Sequence, residues 1–154
     1  STPATNLLYG LHEAIAMLLE EGLPNVFARH RRHAAATRAA VHAWGLEVLC
    51  ANPDEYSPVL TGVLMPDGHN ADAFRKIALE KFNLSLGQGL GKVAGKVFRI
   101  GHLGDFNDLM LAGTLAGVEM GLSLKDSAPG FDPHAALAAY NEDDDASFVE
   151  DEQY

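Results

Sequence analysis

Gly95-Lys-Val-Phe-Arg-Ile-Gly-His-Leu-Gly104 is the stretch on which the reading of the fold turns. Lys96–Ile100 has the apolar content and length of a strand, bounded by glycine on either side. Side chains alternate across a strand, so Phe98 and Ile100 face one way while Val97, Arg99 and Gly101 face the other. A guanidinium in such a strand stays charged and must find an anion. Two partners fit: an internal Asp or Glu, or a carboxylate substrate, which the planar fork of arginine grips with two parallel hydrogen bonds. His102 follows directly and has the reach to join the same site. A hydrogen-bonded structural histidine is the simpler reading of it.

Upstream, Gly87–Gly95 is a glycine-rich loop, and Leu84–Leu86 reads as the strand on its other side. Asn70 caps a helix with Phe74, Ile77, Ala78 and Phe82 on one face. Val59–Met65 is a buried strand, and Leu46, Val48 and Cys50 alternate as a shorter one. Two prolines and an Asn-Pro-Asp turn lie between them. A helix from about Pro24 to Ala43 carries a poor stripe of Leu23, Phe27, Ala34 and Val41, with His30 and Thr37 in register. Arg29, Arg31, Arg32 and Arg38 ring the rest, so one side faces solvent or another chain. The first helix has Thr2 as its cap, Pro3 at its first position, and a stripe of Leu7, Leu8, Leu11, Ala14, Ile15, Leu18 and Leu19 ending at Gly22. Downstream, Asp105 and Asp108 resemble a capping box for a long apolar helix reaching about Leu122. Pro129-Gly130 precedes a short helix near Pro133–Tyr140. Together these predict an α+β fold, a small mostly antiparallel sheet with helices packed against it.

The 154 residues suit one domain, and 47% hydrophobic with 21% charged residues is ordinary globular composition. The net charge of −10 is uneven. Seven acids and no base lie in 141–154, leaving 11 basic against 14 acidic residues elsewhere. That balance argues against a nucleic-acid binder, which replaces phosphate counterions with cations. No apolar run reaches the length of a membrane helix, and Ser1–Thr5 does not open a signal peptide. With Cys50 alone, no internal disulfide forms, and the cytoplasm is the expected location.

Gly89-Leu-Gly-Lys-Val-Ala94 fits a dinucleotide fingerprint, yet that mechanism needs a long helix after the loop, and here another strand begins. His30 and His33 share a spacing suited to a metal, but the arginines around them repel a cation, so a solvated basic helix face is favoured and no metal site is expected. None of Ser57, Ser85 or Ser123 sits in a nucleophile elbow.

Four stretches together resemble the C-terminal part of a class V aminotransferase, of the serine–glyoxylate and alanine–glyoxylate type: Thr2–Ala14, Glu21–His30, Gly87–Gly91 and Gly95–Gly104. The resemblance implies the small domain of a fold type I enzyme dependent on pyridoxal phosphate (PLP). It matches Arg99 to the arginine that holds the substrate carboxylate. Thr2 matches a cofactor-binding threonine at a helix start, which contacts the PLP phosphate of the neighbouring subunit of a homodimer. A helix start favours an anion. None of Lys76, Lys81, Lys92, Lys96 or Lys125 matches the Schiff-base lysine, so no catalytic residue is assigned here and the chain alone is expected to be inactive.

The resulting map is a domain-linking helix over 1–22, a small aminotransferase domain over 23–128, a C-terminal helix over 129–140 and an acidic tail over 141–154. The expected substrates are an amino acid and a 2-oxo acid, with no nucleic acid and no membrane. The alternative is a non-catalytic free-standing domain acting as a protein-interaction module.

Overall fold

The computed structural model describes residues 2–124. The expected helix near 133–140, Lys125 and the acidic tail lie outside them. Helix α1 spans Thr5–Glu21 and α2 spans Leu23–Ala43. Strands β1 (Glu47–Val48) and β2 (Leu60–Leu64) follow, then α3 (Ala71–Phe82), β3 (Gly87–Gln88), β4 (Val97–Gly101) and α4 (Asp108–Leu122). The strands form one antiparallel sheet in the order β1-β2-β4-β3. α2 packs against β1 and β2, and α3 against β3, β4 and α4. This is the expected α+β architecture.

β4 is paired along both edges, which is why it tolerates complete burial of Val97, Phe98 and Ile100. Phe98 and Ile100 join the core with Val63 of β2, Phe74 and Ala78 of α3, and Leu111, Leu115, Val118 and Leu122 of α4. The Phe74 and Phe98 rings meet at 4.8 Å between centroids, tilted by 54°. Such a contact adds to the area the two rings bury. α4 comes close enough for this core because it carries glycine where it crosses its neighbours. A Cβ at Gly121 would stand 2.9 Å from the Phe74 ring.

Several boundaries differ from expectation, each for a local reason. Asn70 caps α3 as expected, accepting from Asp72 N and Ala73 N. The cap of α4 is Asn107, whose side chain accepts from Met110 N, and not Asp105. Thr2 and Pro3 do not start α1. The N-cap is Ala4, and the Pro3 carbonyl accepts from the Thr5 amide and hydroxyl. Leu84–Leu86 is not a strand. The edge strand is β3, inside the expected loop, because Leu84 is drawn back to close α3, its N–H bonding Ala78 O. The first strand shrinks to Glu47–Val48.

On α2 the buried face is Val26, His30, His33, Ala34, Ala36, Thr37, Ala40 and Val41, while Leu23 and Phe27 are exposed. The two histidines turn inward because polar partners await them there. α1 buries no residue at all, and Leu7, Leu8, Leu11, Ile15 and Leu19 of its stripe stand exposed.

The glycine-rich segment closes tightly on itself. Gly89 N–H donates to Val97 O, and a Cβ at Gly89 would lie 2.2 Å from Val93 O. Backbone cannot yield there as a side chain can. Gly89→Ala is therefore expected to cost about 1–3 kcal/mol, read as a lower melting temperature in thermal denaturation. An unchanged melting temperature would show that the turn relaxes freely.

Candidate functional site

Arg99 sits at the middle of β4, opposite Gly62 of β2 on one side and Gly87 of β3 on the other. Cross-strand partners share a face, so the arginine is flanked by two residues without side chains. Leu49, whose N–H bonds Gly62 O, extends the row. This is the face away from Phe98, Ile100 and the helices, as the strand alternation requires.

The residue is half-buried, and its Nε is fully buried with no hydrogen-bond partner among the described residues. No ion pair to Arg99 occurs among them either, so the internal salt bridge weighed for it is not formed there. A buried donor on a charged group with no acceptor is costly, and a guanidinium with no ion pair among the described residues is suited to a carboxylate.

His102 does not join this arginine. It is completely buried, with Nδ1 donating to Pro58 O at 3.1 Å and Nε2 paired with the Thr61 hydroxyl at 2.9 Å. Burial pushes its pKa down to about 4. Its part is structural: it ties the end of β4 to the start of β2. Thr2 is exposed, and no hydrogen bond joins it to Arg99 among the described residues. Lys76, Lys81, Lys92 and Lys96 are all exposed, and Lys76 faces Glu80 at 3.8 Å. A lysine that forms a Schiff base is activated by desolvation or a cationic neighbour, and none of these four is desolvated. The donors present fit a substrate carboxylate.

Two histidines that sequence reasoning placed on a solvated face, His30 and His33, are buried, and they belong to a polar cluster whose Arg32 and Asp108 stay exposed. Arg29 grips the Glu21 carboxylate through Nε (2.7 Å) and Nη2 (2.8 Å). Its Nη1 donates to Gly104 O and Phe106 O, at 2.8 and 3.0 Å. His30 Nδ1 faces Val26 O at 2.7 Å, which only accepts, so Nε2 receives the Gly104 N–H at 3.2 Å. His33 Nε2 and Arg32 both donate to Asp108 Oδ1, at 2.7 and 2.6 Å. These contacts hold Asp108 below the usual carboxylate range, the His33 bond first and the Arg32 bond second. Glu21 is lowered chiefly by its hydrogen bonds from Arg29. α2 thus fixes the loop that leaves the Arg99 strand. The signal available in the sequence was the register of His30, His33 and Thr37 with Val26, Ala34 and Val41.

Among the described residues, no group of three or more His, Cys, Asp or Glu is placed to hold a metal, and no helix is long and apolar enough to cross a membrane. The glycine segment leads through a single 3-10 turn, Gly91–Val93, into β4, so the long helix a dinucleotide loop needs is not there.

No protein-family model matches the chain. A serine–glyoxylate aminotransferase of Methylorubrum extorquens is 50% identical over 138 residues, which are 90% of this chain and 34% of that protein. One of Arabidopsis thaliana is 51% identical over 119 residues, 77% of this chain and 30% of the relative. Among solved structures, the ureidoglycine–glyoxylate aminotransferase of Bacillus subtilis superposes with a TM-score of 0.83 at 36% identity, covering 92% of this chain and 36% of that one. The pyridoxamine–pyruvate aminotransferase of Mesorhizobium loti gives 0.81 at 34% identity, covering 93% and 37%. The fold is that of the fold type I aminotransferases. The chain belongs to the class V aminotransferases and corresponds to their C-terminal part, spanning about a third of the length of the curated relatives it matches. These relatives lend no support to a free-standing interaction module.

His102 gives the structure a pH dependence with a defined sign. Its folded-state pKa of about 4 lies below the ordinary value of 6.5. Between these values the unfolded chain takes up a proton that the folded chain refuses. Stability is therefore full above about pH 6.5 and falls as the pH drops towards 4, by up to about 3 kcal/mol. His102→Gln, which does not titrate, is expected to flatten this part of the profile in denaturant titrations. An unaltered slope would assign the effect to another group.

Proposed function

We propose that the chain is the C-terminal portion of a PLP-dependent transaminase that moves an amino group from serine or alanine to glyoxylate. The observation that carries the reading is the buried Arg99 Nε with no partner among the described residues, on a sheet face kept low by Gly62 and Gly87. Both substrates of such a reaction are small acids with a carboxylate beside the reacting carbon. Arg99 binds that carboxylate with two parallel hydrogen bonds, which fixes orientation as well as position. The double pairing of β4 keeps the arginine backbone from shifting when the amino acid is exchanged for the oxo acid. PLP, held mainly by residues outside this chain, supplies the electron sink, and a lysine outside the chain moves the proton. Thr2 contacts the cofactor phosphate of a neighbouring subunit, and α1 is the helix linking this domain to the cofactor domain of a cytoplasmic homodimer.

The bare apolar stripe of α1 supports that last assignment. Exposed contiguous patches of this kind mark interaction surfaces. Light scattering over a concentration series is expected to show the 154-residue chain self-associating. A strictly monomeric chain that binds no hydrophobic dye counts against a covered α1.

Mixed with PLP and reduced with borohydride, the 154-residue chain by itself is expected to show no stoichiometric single-site label and no transaminase activity. Stoichiometric labelling with activity would place the catalytic lysine here.

The central test is Arg99. In the enzyme that contains this chain, Arg99→Ala is expected to lower kcat/KM for amino acid and glyoxylate by about 10²–10⁴, since stranding a desolvated charge partner costs about 2–5 kcal/mol. Arg99→Lys recovers only part, because an ammonium lacks the paired donors. PLP affinity changes little. A variant with normal kinetics would remove Arg99 from the site.

A further inference from the structure

The two glycines beside Arg99 look alike in the sheet but do different things. A Cβ built at Gly62 would have Leu49 Cβ at 3.2 Å, Leu49 Cδ2 at 3.4 Å and Val97 Cγ1 at 3.7 Å as its nearest neighbours. A Cβ at Gly87 would instead have only Arg99 atoms as its nearest three: Cβ at 3.0 Å, Nε at 3.1 Å and the carbonyl oxygen at 3.5 Å. The glycine at 62 serves packing between strands. The glycine at 87 serves the arginine.

Backbone conformation does not require glycine at 87, since it is absent from the positive-φ positions. Nor does the strand benefit: β3 has two residues, and glycine weakens a strand through entropy and lost packing. What glycine supplies there is close approach: the Arg99 side chain lies against it, with Nε buried and without a partner among the described residues. That approach fixes where the guanidinium stands, and a guanidinium grips a carboxylate through two parallel donors.

We propose that Gly87 is a positioning residue for substrate binding. Its missing side chain lets the Arg99 side chain lie against β3, and this sets where the guanidinium presents its paired donors to the carboxylate of a small 2-oxo or 2-amino acid. The proposal rests on the reading of Arg99 as the substrate clamp. A methyl at 87 moves the Arg99 side chain by a few tenths of an ångström, and a displaced clamp weakens substrate binding.

The test uses Gly87→Ala, Gly121→Ala and Arg99→Lys in the enzyme that contains this chain. Gly87→Ala is expected to raise KM for glyoxylate and the amino donor by about tenfold, with kcat much less affected. Gly121→Ala, which crowds the Phe74 ring in the core, lowers the melting temperature without raising KM. In an Arg99→Lys background, Gly87→Ala should lose most of its effect, since coupled neighbours are not additive. A second readout needs no catalysis. In the ¹⁵N-labelled 154-residue chain, the Arg99 Nε–Hε resonance is expected to shift on titration with glyoxylate, and to shift less in Gly87→Ala. Wild-type KM in Gly87→Ala, or the same KM penalty with Arg99 and with Lys at 99, overturns the role of Gly87. Normal kinetics in Arg99→Ala would instead overturn the clamp itself, so the two failures are distinguishable.

Discussion

β4 is hydrogen-bonded along both of its edges, and almost everything else in the molecule takes its position from that strand. One of its faces feeds Phe98 and Ile100 into the core beneath α3 and α4; the other carries Arg99. A charged side chain on a doubly paired strand is held by the whole sheet, because its backbone cannot move without breaking bonds to β2 and β3 together. That rigidity suits an arginine whose guanidinium has a buried nitrogen unanswered among the described residues. The strand also runs straight into the loop that Arg29 and His30 hold, so the site and the helical layer share one frame.

The polar cluster under α2 resolves a conflict between local preference and global packing. A helix so rich in arginine and histidine makes a poor core element by composition. It packs because the loop after β4 and the first turn of α4 present groups those side chains need. Gly104 and Phe106 offer carbonyls, Gly104 also offers an N–H, and Asp108 offers a carboxylate to His33 and Arg32. Asp108 lies in the first turn of its helix, where the dipole favours negative charge. Both ring nitrogens of His30 and Nε2 of His33 are thereby answered, while Nδ1 of His33 is buried with no partner among the described residues.

Much of this was legible in the sequence, for reasons that can be named. Strand alternation alone put Arg99 on the face opposite Phe98 and Ile100, and periodicity with an Asn cap located α3. The resemblance of Gly95–Gly104 to one family is what proposes a substrate carboxylate as the arginine's partner. Other features depend on contacts that no local pattern encodes. His30 and His33 meet partners 74 and 75 residues away, so they read as surface positions beside their arginines. The edge strand hid inside a glycine run because its pairing comes from β4 and not from its own residues. The cap of α4 was misplaced because Asn107 and Asp105 both have side chains suited to the task, and only the geometry of the entering loop chooses between them.

α1 has a consequence for how the chain acquires its structure. It contributes nothing to the buried core, and its polar anchor to the rest is the grip of Arg29 on Glu21, at its last residue. The sheet and the other three helices complete their packing without it. α1 is therefore a separate cooperative unit, open to exchange and fraying at a free energy well below that of global unfolding. The rest of the domain is finished by folding alone, and under the proposed reading the helix is finished only by the assembly that covers it.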